Sequence, residues 1–116
     1  FYYSLRDWVA LNQHHYQRFR ELDGNESAQQ ELLNSILRGN ILSFAKGIDW
    51  WVEEQIQVEI IHLGAVKMLP LHKNRRQALA FSLRFRTNVS LPDFVGVGKR
   101  VSVGYGVVKS LAKNKN

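Results

Sequence analysis

The chain has 116 residues, 45% hydrophobic and 22% charged, the profile of one globular domain with enough apolar material for a core and too little length for a second. It contains no cysteine, which excludes a disulfide framework, a thiolate nucleophile and a thiolate metal site. The formal charge of +6 is uneven: residues 1–62 hold five Lys or Arg against nine Asp or Glu, whereas residues 63–116 hold eleven against Asp93 alone. A basic half of this kind raises a polyanionic partner, nucleic acid first, above a merely solvated surface. No apolar run is long enough to span a bilayer and no secretory pattern opens the sequence, so a cytoplasmic setting without a membrane partner is expected.

In chain order, "FYYSLRDWVALN" alternates Phe1, Tyr3 and Leu5 like a strand. Leu5, Trp8 and Leu11 also fit a helical face, but the aromatic content favours the strand. "QHHYQRFREL" suits a short helix, and "DGNES" is a turn signal. A longer helix is predicted from about residue 27 to 47, with Ser27 and Gln30 as a capping box. Leu33, Leu37, Ile41, Phe44 and Ile48 form its apolar stripe, and Gly47 its terminator. Gly39, inside that helix, reads as a point of close packing against a strand. Ile56, Val58 and Ile60 alternate with Gln57 and Glu59, which predicts a strand ending at His62 with one wet face.

"HKNRRQ" is a charged turn. The next strand alternates Leu79, Phe81, Leu83 and Phe85 with Ala80, Ser82, Arg84 and Arg86, which puts both arginines on the face opposite the large apolar side chains. It ends before Pro92, which cannot donate to a ladder. A final strand is expected around 101–108, and residues 110–116 read as a basic, frayed tail. The order strand, helix, strand, strand, loop, strand predicts an α+β, ferredoxin-like (RRM-like) domain over residues 1–109. Its helices cover one sheet face, the second crossover is shortened into a loop, and the other face stays open.

That loop, "GVGKRVSVGYG" at residues 96–106, holds four of the chain's eight glycines beside Lys99 and Arg100. It is not a dinucleotide fingerprint, which needs glycine where Val101 stands, nor a P-loop, which needs Ser or Thr where Arg100 stands. Two readings remain. One is a concavity of bare amides with two cations at its tip, able to hold an anion; the other is a glycine-kinked hairpin or bulge.

Two Gly-hydrophobic-Gly pairs separated by five residues with Lys or Arg, near the end of such a domain, resemble the glycine-rich loop of the RAMP superfamily of CRISPR-associated proteins. "WVALNQHHY", "GNILSFAKGIDWW" and "FRTNVSLPDFVGVGKRVSVGYGVVK" extend the resemblance to the C-terminal domain of the CRISPR repeat endoribonuclease, the "Cas six" family, from about Trp8 to Lys109. The resemblance implies a protein that binds CRISPR repeat RNA and cuts its precursor without a metal or cofactor, activating a ribose 2′-hydroxyl to leave a 2′,3′-cyclic phosphate. It further implies that Gly96, Gly98, Lys99, Arg100, Gly104 and Gly106 contact or support the RNA. The catalytic histidine of that family lies in a preceding ferredoxin-like domain, so this chain, which opens at Phe1, is expected to be the C-terminal half of a longer protein and inactive alone. No catalytic residue is assigned within it. A non-catalytic RNA-binding RAMP subunit, or a structural domain that forms a homodimer or interdomain contact, stands as the alternative.

Arg84 and Arg86 join the RNA-binding set on physical grounds alone, two cations on one strand face, with ordinary solvated arginines as the alternative. His14 and His15 point about 100° apart on a helix and do not make a metal pair; either could serve as a base, whereas His62 and His72 read as surface residues. Trp50 and Trp51 suit base stacking less well than core or interface packing. Asn88 fits a glycosylation acceptor, discounted without export.

Overall fold

In the computed structural model the chain runs β1 (Tyr2–Trp8), α1 (Gln13–Glu21), α2 (Glu26–Gly47), β2 (Val58–Pro70), β3 (Gln77–Thr87), β4 (Val107–Ser110). It describes residues 1–50, 55–70, 77–99 and 105–111. The strands form one antiparallel sheet in the order β2-β3-β1-β4. This is the ferredoxin-like arrangement, and the α+β expectation holds. Both helices lie in the crossover from β1 to β2; the described residues between β3 and β4 contain no helix. Instead they send Val89, Leu91, Val95 and Val97 into the core, and the Leu91 N–H donates to the Tyr3 hydroxyl at 2.6 Å.

β1 sits between β3 and β4 and carries a bulge. Tyr3 and Leu5 face the core, and simple alternation would send Asp7 there next. The register shifts between Leu5 and Trp8, and Asp7 takes a left-handed φ of 51° while its N–H donates to Ser82 Oγ at 3.1 Å. The extra residue turns Trp8 inward, where it is fully buried. Its indole Nε1–H donates to Asn40 Oδ1 on α2 at 2.9 Å, which satisfies the one polar atom that burial would strand. Phe81 meets Phe19 edge-on and Trp8 at a tilt, Tyr3 meets Phe85 at a tilt, and strand and helix aromatics join in one core.

The caps differ from the sequence reading. Asn25, not Ser27, caps α2 by accepting from the Ala28 N–H at 3.1 Å. Gln30 is not part of a capping box: its Nε2 donates to the Ile60 carbonyl at 2.7 Å, and Asn34 Oδ1 accepts from the Ile60 N–H at 2.9 Å, tying α2 to β2. The buried face is Leu33, Ile36, Leu37, Ile41 and Ala45. Phe44 is partly buried, and Ile48 is 55% exposed because it stands at the C-cap, past the last helical turn and past Gly47, the last helical residue. Gly39 is not a packing point; a β-carbon there would meet nothing within 4 Å.

β2 does not end at His62 but continues to Pro70, paired with β3 as far as Gln77. Register shifts at Ile60/His62 and Leu63/Val66 absorb the broken alternation that suggested an end. Gly64 falls in the second shift, where a β-carbon would approach the Ser82 carbonyl oxygen to 2.9 Å. The charged turn at 72–77 lies, but for Gln77, outside the described residues, as do 101–104 of the expected last strand, whose observed span is Val107–Ser110, and the tail from residue 112.

Candidate functional site

The open sheet face is built by parity. With Tyr3, Leu5, Phe85 and Val108 turned inward, their neighbours turn outward, and the register aligns them. His62 of β2 stands opposite Arg84 of β3, Arg84 opposite Ser4 of β1, and Ser4 opposite Lys109 of β4. This row crosses all four strands at the usual spacing of about 4.8 Å per strand. Ser4 separates Arg84 from Lys109, which avoids the penalty of like charges set directly opposite. Arg6 stands two residues along β1 on the same face. Among the described residues, Arg6, Arg84 and Lys109 enter no ion pair. The three line one concavity of 660 Å³ together with His62, Ser4 and Phe94.

Arg86 is placed differently. It lies on the same face as Arg84, but its Nε meets Glu59 Oε1 at 2.6 Å, so a partner anion there competes with an existing ion pair. Lys67 is similarly paired with Asp7, at 3.7 Å. Of these residues the sequence reading named only Arg84; Arg6, His62 and Lys109 join it only once strand order and register are known.

The glycine segment flanks this face. Gly98 and Gly106 have φ of 85° and 74°, a region that L side chains rarely adopt. Their bare faces meet the protein itself: a β-carbon on Gly98 would come within 2.7 Å of Trp8 Nε1, and one on Gly106 would collide with the Val97 carbonyl oxygen. The amides of Val97, Lys99 and Gly106 donate to the carbonyls of Gly106, Val9 and Arg6 respectively. These three are therefore spent internally and do not form the anion-binding concavity that bare amides suggested. Gly96 bridges to Val107, and Lys99 bridges to Val9 while its side chain stays exposed. The segment is stitched to β4 on one side and to the end of β1 on the other. Arg100 and Gly104 lie outside the described residues.

Of the other candidates, Trp50 packs against the core; Trp51 and His72 lie outside the described residues. His14 and His15 on α1 have ring centroids 6.1 Å apart and stand away from the basic row in sequence and element. Among the described residues no three His, Asp or Glu side chains are grouped as metal ligands, and no helix is long and apolar enough to cross a membrane. Asn88 is used structurally, its side chain bonding the backbone of Gln55 and Gln57.

Comparison with known proteins bears on this geometry. The profile of the Cas6b C-terminal domain matches residues 1–111. An uncharacterized protein of Methanocaldococcus jannaschii is 35% identical over 107 residues, covering 92% of this chain and 69% of that protein. A crystal structure of Cas6b superposes with a TM-score of 0.78 at 29% identity, over 95% of this chain and 62% of that one. A crystal structure of the CRISPR RNA processing endoribonuclease Cas6b gives 0.77 at 29% identity, over 95% of this chain and 54% of that one. The chain thus spans less than two thirds of either solved chain.

Proposed function

This chain belongs to the Cas6b C-terminal domain family, and from that premise we propose that it is the RNA-binding part of an endoribonuclease that processes CRISPR precursor RNA. The observation that carries the reading is the row His62, Arg84, Ser4, Lys109 with Arg6 beside it, on an open sheet face of an RRM-like fold, where Arg6, Arg84 and Lys109 enter no salt bridge among the described residues. Such a face suits a phosphate backbone because each neutralised phosphate releases condensed counterions, a gain that an acidic or apolar partner does not give. Lys99, exposed at its bridge to Val9, extends the basic track beyond the end of β1, and Arg100, next in sequence, is assigned to the same RNA contact. Gly98 and Gly106 support it by letting that segment close on Trp8 and Val97, and Gly96 and Gly104 are assigned to the same supporting role. Arg86 contributes less, being held by Glu59.

The cleavage step in this reading is metal-independent. The ribose 2′-hydroxyl loses its proton to a base, its oxygen attacks the adjacent phosphorus, and the 5′-oxygen leaves with a proton, giving a 2′,3′-cyclic phosphate. The base is supplied by an N-terminal ferredoxin-like domain of the same protein, and this chain contributes the grip on the repeat.

The test is to incubate the full-length protein and this chain separately with labelled repeat RNA in excess chelator. Both should bind. With about five phosphates neutralised, log affinity falls against log salt with a slope of about −3.5, at roughly −0.7 per contact for single strands. Only the full-length protein should cut. Binding without salt dependence would remove the basic face from the site, and cleavage that stops with chelator would overturn the metal-independent step.

A further inference from the structure

Phe94 sits on the rim of the basic concavity with two locally unfavourable features. It is 72% exposed, the most exposed of the large apolar side chains among the described residues. It also holds a left-handed φ of 66°, a region in which a bulky residue is a rare outlier. Such strain persists only where the surroundings over-determine it. Here they do: the Phe94 N–H donates to the Val108 carbonyl at 2.7 Å, the Val108 N–H donates to Val95 at 2.8 Å, and Asp93 Oδ1 accepts from the Ser110 N–H at 2.6 Å. The loop is clamped to β4 on both sides of Phe94, and the ring is left facing out beside Arg6, Arg84 and Lys109.

We infer that Phe94 is a stacking platform for an unpaired nucleobase of the RNA whose phosphates lie on Arg6, Arg84 and Lys109. The inference rests on the RNA-binding reading above and adds to it a base contact, at a residue outside the basic row and the glycine loop. The chemistry selects the ligand. An apolar protein surface covering Phe94 would have to strip water at the same time from three cations that enter no salt bridge among the described residues, at high cost. A nucleotide offers both halves: a π face for the ring and a phosphate for the cations. The base must be unpaired, because a duplex keeps its faces stacked on one another.

The test uses a short single-stranded oligoadenylate, with and without 2-aminopurine in place of one adenine, in equilibrium titrations. Leucine keeps the size, apolarity and backbone strain of phenylalanine but lacks the π face, so Phe94→Leu should weaken binding by roughly 5- to 150-fold, the range for one base on one aromatic ring. The salt slope should not change, since no phosphate contact is lost. Phe94→Trp should restore affinity, and 2-aminopurine emission should be quenched by the native protein and by Phe94→Trp but not by Phe94→Leu. Should a variant fail to fold in thermal melts, abasic substitution in the RNA supplies the same comparison on the native protein, with loss expected at the stacked position. Normal salt-dependent binding that is indifferent to Phe94→Leu, or to every abasic position, overturns the stacking contact and leaves the RNA reading standing. Absence of binding by the native protein to both oligoadenylate and repeat RNA overturns both.

Discussion

Gly98→Ala tests whether the glycine segment is shaped by the protein's own core or by a ligand. At φ 85° a β-carbon costs roughly 1–2 kcal/mol, since the left-handed region brings it against the following carbonyl. The same β-carbon would lie 2.7 Å from Trp8 Nε1, 2.8 Å from Trp8 Cδ1 and 2.8 Å from the Val9 carbonyl oxygen. Neither Trp8, fully buried and hydrogen-bonded to Asn40, nor the β1 backbone is free to retreat, so overpacking adds about 1–3 kcal/mol. The sum, about 2–5 kcal/mol, is a large share of the ~5–15 kcal/mol that holds a typical domain together. In urea titrations, with m of about 2 kcal/mol per M, the midpoint should fall by about 1–2.5 M at unchanged m. Gly39→Ala is the internal control: exposed in mid-helix with nothing within 4 Å, it should gain about 0.5–1 kcal/mol. A Gly98→Ala protein that unfolds at the native midpoint would refute the assignment of this glycine to close packing on Trp8. If it also lost RNA binding, the glycine would be serving an approaching ligand instead.

Three further outcomes are expected. Arg84→Ala should flatten the salt dependence of RNA binding by about 0.7, the share of one phosphate contact, while Arg86→Ala should change it less, because Glu59 already holds that guanidinium; equal effects would refute the distinction. Asn40→Ala strands the buried Trp8 indole N–H and should cost about 1–3 kcal/mol in chemical denaturation; a near-native midpoint would mean that the indole finds another acceptor. The Asp93 carboxyl is held below its ordinary value of 3.8, first by the hydrogen bond from the Ser110 backbone, then by the Ser110 side chain and the charge of Lys109. A depressed carboxylate contributes stability that is fully present above 3.8 and is lost as pH falls through the lower folded value, so Asp93→Asn should remove that part of the acid dependence. An NMR titration of Asp93 with its midpoint at or above 3.8 would refute the clamp.

Where side chains report their environment locally, the sequence was readable. The alternation from Leu79 to Arg86 gave β3 and its two faces, the spacing of Leu33, Leu37 and Ile41 gave α2, and the order of elements gave the ferredoxin-like plan. What was not readable depended on partners distant in the chain. Nothing local marks Asp7 as a bulge residue, since a non-glycine residue is held left-handed there by Ser82, 75 positions away. Asn25 preceded a plausible Ser27 cap, and local pattern does not rank the two. β2 looked finished at His62 because two register shifts scramble its alternation, and only pairing with β3 carries it on. The basic row was half visible: Arg84 was assigned by parity, but its alignment with Ser4, Lys109 and His62 is a property of register across four strands. Gly98 and Gly106 hold the positive φ that glycine allows, while the answer to what approaches them, an indole and two carbonyls of the same chain, lay in tertiary contacts.

The position of β1 between β3 and β4 has a kinetic consequence. Tyr3 pairs with Phe85 on one side and Ser110 on the other, so β1 acquires its second neighbour only when residues more than a hundred positions later have left the ribosome. Until then Tyr3, Leu5 and Trp8 lack their permanent cover and one flank of the nascent strand is open to intermolecular pairing. Closure of so long a loop delays completion of the sheet until β4 has emerged and puts folding in the slower range for small mixed α/β domains.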